Sequence, residues 1–157
     1  MPDPDRPYPR RIISGGQTGV DRAALDTAIA LGIPHGGWCP RGRRAEDGAI
    51  HPRYELRETD SEEYGDRTFF NVRDSDGTLI LNSGELEGGT RFTADIAGRL
   101  HRPVLIIDLA GTPDLEAARD WLSRNRIATL NVAGPRESRC SGIQQQAGDF
   151  LRRLLGE

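Results

Sequence analysis

Short runs of branched apolar residues alternate along this chain with segments of helical period, and glycine-rich stretches join them. Those observations predict an α/β fold, a three-layer Rossmann-like sandwich with a mostly parallel five-stranded sheet flanked by helices. A chain of 157 residues can bury a core of that kind without disulfide or metal staples. Residues 1–9 hold four prolines and read as a disordered or extended tail. Residues 10–157 read as one Rossmann-like domain with a polar insertion at about 40–76.

The elements follow in order. Arg11 to Ser14 reads as a strand running into Gly15-Gly16-Gln17-Thr18-Gly19. From Val20 to about Leu31 the period is helical, with Val20, Ala24, Ala28 and Leu31 on one stripe, and Gly32 and Pro34 end it. His35 to Trp38 makes a second strand. The insertion is expected to hold an extended piece at Tyr54–Arg57 and a helix near Ser61–Val72, capped by Asp60 or Ser61. Thr78 to Leu81 is a strand, followed by the loop Asn82 to Gly89 and a helix from about Thr90 to Leu100, with Phe92, Ile96 and Leu100 in line. Pro103 to Leu109 reads as the best-buried strand. Thr112 as cap and Pro113 at the first helical position open the next helix, whose apolar face is Leu115, Ala118 and Leu122. Ile127 to Val132 is the fifth strand. After Gly134–Gly142 a last helix carries Ile143, Ala147, Phe150, Leu151 and Leu154. Both common doubly wound strand orders put the first strand near the middle of the sheet.

Composition removes several functions. All 21 basic residues are arginine, so a Walker A lysine, a pyridoxal Schiff base and a lysine nucleophile are excluded. A net charge of −3 argues against a nucleic-acid partner. The apolar run Val104–Leu109 is too short to span a bilayer, and the N-terminus has no apolar signal region, so no membrane partner is expected. Cys39 and Cys140 form no CxxC pair and suit free thiols in a reducing cytoplasm. His35, His51 and His101 show no metal spacing, and no metal ligands or catalytic residues are assigned.

In an open parallel sheet, ligands bind at the carboxyl ends of the strands. Two glycine-rich loops fall there, Gly15-Gly16-Gln17-Thr18-Gly19 and Gly88-Gly89-Thr90. Glycine lets the backbone approach a ligand, and open N–H groups at a helix start favour an anion. Thr18 and Thr90 could donate hydrogen bonds, and Gln17, Asn82 and Ser83 would form a polar wall. Arg22, Arg43, Arg44 and Arg67 are candidate cations for a phosphate or other oxyanion, with Asn71 four residues from Arg67. The alternative for each loop is a tight turn without ligand, and for the arginines a solvated charge run offset by Glu46 and Asp47. The first loop reads GGQTGVD and not GxGxxG. No acidic residue ends the second strand, so a hydride-transfer dehydrogenase is not expected. Asp21 reads as a support for the helix start.

Several stretches closely resemble motifs of the putative molybdenum carrier family. They are Gly15 to Asp26, Gly37 to Gly48, Arg67-Thr68, Asn71 to Thr78 and Gly88-Gly89-Thr90, and the resemblance spans about Arg11 to Leu155. It implies a Rossmann-like fold shared with the lysine-decarboxylase-like phosphoribohydrolases. It also implies carriage or storage of the molybdenum cofactor, a phosphorylated molybdopterin, in place of catalysis. A homo-oligomer and a molybdoenzyme or cofactor-biosynthesis partner would follow. The rival is a nucleoside 5'-monophosphate phosphoribohydrolase with a PGGxGTxxE signature, or a nucleotide-sensing module. Against that signature, Glu87-Gly88-Gly89-Thr90-Arg91-Phe92-Thr93 lacks the proline and third glycine, and Thr93 stands where the glutamate would be. Glu85 and Asp95 are nearby carboxylates out of register.

Overall fold

The computed structural model describes residues 7–156. Its strands and helices, in chain order, are β1 (Arg11–Ile13), α1 (Val20–Leu31), β2 (His35–Gly36), β3 (Trp38–Cys39), β4 (Arg44–Ala45), β5 (Gly48–Ala49), β6 (Arg57–Glu58), α2 (Tyr64–Arg73), β7 (Gly77–Asn82), α3 (Gly88–Arg99), β8 (Val104–Asp108), α4 (Leu115–Arg124), β9 (Thr129–Ala133) and α5 (Ile143–Leu155). Five strands make one parallel sheet in the order β2-β1-β9-β7-β8, as the α/β pattern predicts. Most of the tail expected over residues 1–9 lies outside the described residues. Of its last residues, Pro9 is buried and Tyr8 packs against the main core.

Helices cover both faces of the sheet. On one, Val20, Ala24 and Ala28 of α1, Trp121 and Leu122 of α4, and Ala147, Leu151 and Leu154 of α5 enclose Ile12, Leu79, Leu81, Leu130 and Val132. On the other, Val72 of α2 and Ile96 and Ala97 of α3 meet Phe69, Leu100 and Val104. The helical stripes therefore bury as their period requires. Helix α1 stops where Gly32 turns left-handed, its N–H closing on the Ala28 and Ile29 carbonyls.

β1 lies near the middle of the sheet, as both common orders require, but the central strand itself is β9, the last of the described strands in the chain. Asn131 explains part of this, since it sits buried on the face opposite Leu130 and Val132 and donates to Thr78 Oγ1 at 3.2 Å. If β9 and α5 were moved ahead of β1, the sheet would read third, second, first, fourth, fifth, the common doubly wound order. The fold is thus a circular permutation of that arrangement.

Other boundaries also move. β7, and not β8, is buried at every residue; β8 is an edge strand with Ile106 45% exposed. An apolar run looks the same in either place, so pattern alone cannot rank them. The second strand splits at Gly37, whose φ of 126° suits glycine and where a Cβ would fall 2.3 Å from the Ser14 carbonyl oxygen. β3 then leaves the main sheet and pairs with β6. Helix α2 begins at Tyr64 after Glu63, and neither Asp60 nor Ser61 caps it; the Ser61 hydroxyl accepts the Glu63 N–H in a turn before the helix. Asp114, not Thr112, caps α4, accepting the Ala117 N–H at 3.0 Å.

Candidate functional site

The permuted order fixes where a ligand can sit. Strand order reverses between β9 and β7, so the connections leaving their carboxyl ends run to opposite sides and leave a crevice. A cavity of about 330 Å³ occupies it. One wall is Asn82, Ser83 and the start of α3, at Gly88, Gly89, Thr90 and Thr93. The other is the loop after β9, from Ala133 to Cys140, with Arg136 and Arg139. Gln17, Asp21 and Arg67 close the third side, and Glu85 and Glu87 also line it. Gly134 makes the two strands' close approach feasible, because a Cβ there would lie 2.2 Å from the Leu81 carbonyl oxygen.

Helix starts at the carboxyl edge differ in what their amide hydrogens do. At α1 the donors are engaged by protein: Gln17 N–H by Asp21, Thr18 N–H by Gln17 Oε1, Gly19 N–H by Gln144 Oε1, and Val20 N–H by the Pro135 carbonyl. At α5 the Glu137 carboxylate accepts from Gly142 and Gln144, and Asp114 caps α4. At α3 the cap residue Glu87 is extended and gives no side-chain hydrogen bond. The Gly88 and Gly89 N–H groups find no acceptor among the described residues, and the Thr90 hydroxyl is likewise unbonded. A Cβ on Gly88 would stand 3.7 Å from the Arg139 guanidinium, so a cation flanks these donors. Open amides at the positive end of a helix beside an arginine are donors that favour negative charge.

The floor is a buried ion pair. Arg67 Nη1 donates to Asp21 Oδ2 at 3.0 Å, with the carboxylate 3% and the guanidinium 17% exposed. Burial pushes the Asp21 carboxyl above its ordinary value, and the Arg67 charge and the Gln17 N–H only partly offset this. Arg67 Nε is buried without a partner. The Arg67 guanidinium also covers Gly15, where a Cβ would come 1.8 Å from Nη1. The first glycine loop thus makes room for an arginine of its own chain.

The structure gathers about half of the residues expected at the site. Gln17, Arg67, Asn82, Ser83, Gly88, Gly89 and Thr90 line the cavity; Gly15, Gly16, Thr18, Gly19, Arg22, Arg43 and Arg44 do not. Gly16 lies under Leu56 and Ile50 of the insertion, and Gly19 packs against the Pro135 carbonyl. The Thr18 hydroxyl donates to Glu46 and accepts the Glu137 N–H. Arg22 holds Asp47 with two hydrogen bonds and donates to the Gly16 carbonyl. Arg43 donates to four carbonyls, those of Ile50, His51, Tyr54 and Leu56, and so ties the insertion together. Arg44 is exposed and pairs with Glu62 at 3.4 Å. Asn71 serves the Trp38 backbone, accepting its N–H and donating to its carbonyl.

Sequence reasoning missed Arg136 and Arg139. Their signal was Gly134-Pro135 ending a strand, and it becomes readable only once that strand is known to be central. Glu46 holds this loop: its carboxylate accepts from the Thr18 hydroxyl, the Ser138 hydroxyl at 2.5 Å and the Ser138 N–H at 3.2 Å. Burial works against the Glu46 charge, but the bonds from Ser138 and Thr18, with Arg136 nearby, outweigh it and keep the carboxyl below its usual range. Cys140 lines the cavity, whereas Cys39 is buried in a separate cluster with Leu25, Ile50 and Tyr54. Among the described residues, no group of three or more His, Cys, Asp or Glu could hold a metal ion, and no helix is long and apolar enough to cross a membrane.

Comparison with known proteins agrees with the permuted sheet. The model of the family described as "Circularly permutated YpsA SLOG family" matches residues 12–155. A solved structure from Syntrophus aciditrophicus SB, named putative molybdenum carrier protein, is 44% identical with a TM-score of 0.91. The match covers 96% of this chain and 98% of that one. Comparison with curated proteins gives no match. Strand order, switch-point cavity and near-complete coverage lead to one conclusion: this chain belongs to the circularly permutated YpsA SLOG family.

Proposed function

We propose that this chain binds a small phosphorylated ligand of the molybdopterin type, and so carries or stores the molybdenum cofactor in the cytoplasm. The phosphate would take the Gly88 and Gly89 N–H groups and the Thr90 hydroxyl, with Arg139 beside them. Arg67 and Arg136 supply further positive charge to the same cavity. One observation carries the reading: at the sheet's switch point, the start of α3 has its donors unspent. The name of the Syntrophus protein supports the choice of cargo. A molybdoenzyme or a cofactor-biosynthesis protein would be the exchange partner.

The test is protection of released cofactor from air oxidation, together with its affinity. Thr90→Ala with Arg139→Ala should weaken binding about a hundredfold, since a charge-assisted and a neutral hydrogen bond are lost. Arg44→Ala should leave it unchanged. Equal protection by the double variant and the parent would remove the assignment.

Glu85 and Glu87 at the cavity favour a second reading, cleavage of a nucleoside 5'-monophosphate. Counted from Glu87-Gly88-Gly89, the signature's glutamate falls on Asp95 and not on Thr93; Asp95 is exposed on α3 and does not line the cavity, and Thr93 donates to the Gly89 carbonyl. Release of free base that depends on Glu85 would establish the enzyme over the carrier.

A further inference from the structure

β8 ends the sheet, and among the described residues nothing pairs with its outer edge. The Thr78 N–H reaches the Pro103 carbonyl and the Leu109 N–H reaches the Asn82 carbonyl, so residues 103, 105, 107 and 109 address β7. By alternation, the N–H and C=O groups of Val104, Ile106 and Asp108 point away from the sheet. Between Val104 and Asp108 that edge has no bulge, no lysine and no proline, and Pro103 before it faces β7, where its carbonyl accepts the Thr78 N–H. Ile106, at 45%, is the most exposed of the large apolar residues among those described.

We propose that β8 is a seam between two copies of this chain, paired antiparallel about a two-fold axis through Leu105. The two parallel sheets then run on as one. Charge selects this register. With Leu105 on the axis, Arg102 of each copy stands opposite Asp108 of the other, and Val104 stands opposite Ile106. One face of the seam reads charge, apolar, apolar, charge, and on the other face the two Leu105 side chains meet. Val104 and Ile106 are outward-facing residues, so each opposed pair exchanges both main-chain hydrogen bonds. Shifting the axis to Ile106 would set Asp108 against Val104 and Arg102 against Ala110, leaving four charges opposite apolar partners. A contact in which each side meets its own copy is the closed, isologous kind. Arg102 is exposed and donates one N–H to the Arg73 carbonyl at 3.0 Å, and its fork has further donors.

The experiment is sedimentation of the full chain with charge reversals on either side of the seam. The parent should be dimeric or a multiple of the dimer. Arg102→Asp alone and Asp108→Arg alone should each weaken association at least about tenfold, because two cross-strand pairs turn repulsive. Both reversals together should restore it. Ile106→Lys should weaken it as well, and thermal unfolding of each variant checks that the fold is kept. A monomeric parent would overturn the proposal. So would single reversals without effect, or a double variant no better than the singles. Ligand binding plays no part in this readout, so it stands or falls apart from the cavity's function.

Discussion

Asp21 shows how one residue can serve two ends. It receives the Gln17 N–H within the first glycine loop and holds Arg67 at the cavity floor. Burial raises its folded pKa above the unfolded value of about 4. As pH rises from about 4, the unfolded chain gives up this proton first, so stability falls until the pH passes the folded value and then levels off. Asp21→Asn should remove that slope, as urea unfolding across the pH series would reveal. It should also cost about 2 kcal/mol at pH 7 by leaving Arg67 unpaired, below the range for fully buried pairs because Arg67 keeps some exposure. At this scale the sequence was legible only in part. Glycine and threonine at 88–90 pointed to open donors, and the donors there are open, because the state of backbone N–H groups at a helix start depends on local chemistry. Arg22, Arg43 and Arg44 looked equally suited to an anion. They were taken instead by Asp47, by the insertion's carbonyls and by Glu62, partners that only the fold brings near.

Helix α5 makes the same point for whole elements. Its apolar stripe, Ile143, Ala147, Phe150, Leu151 and Leu154, was readable from period alone, and all five side chains are buried. Its start after Gly142 was readable too, but its capping partner was not, because the carboxylate that accepts from Gly142 and Gln144 comes from Glu137, several residues upstream. Glu137→Ala should cost about 1–2 kcal/mol in thermal or urea unfolding, the usual loss on removing a helix cap. It should also loosen the loop carrying Arg136 and Arg139, seen as faster amide hydrogen exchange at residues 135–142. Strong hydrophobic period placed the five long helices and the main strands. Where the chain is polar, from Pro40 to Glu63, the two-residue pairings β3–β6 and β4–β5 rest on turns and on Arg43, and no period announces them.

Across the whole molecule, the alternation of strands and helices predicted the layers, but it carries no information on which strand sits in the centre. That follows from the switch between β9 and β7. The permuted order has its own test. A chain opened in the exposed stretch at Arg124–Arg126, with residue 156 joined to residue 7 by a flexible linker, should keep the fold and the cavity. Matching circular dichroism and unchanged ligand affinity would show that continuity between α4 and β9 is dispensable. Loss of cooperative unfolding would show the opposite.

β9 lies in the heart of the sheet yet leaves the ribosome after every other strand. Until it arrives, β1 with β2 and β7 with β8 are two unjoined halves, each with a naked inner margin. A nascent chain therefore stays open to mispairing until β9 has emerged, and the crevice between β9 and β7 cannot form before then.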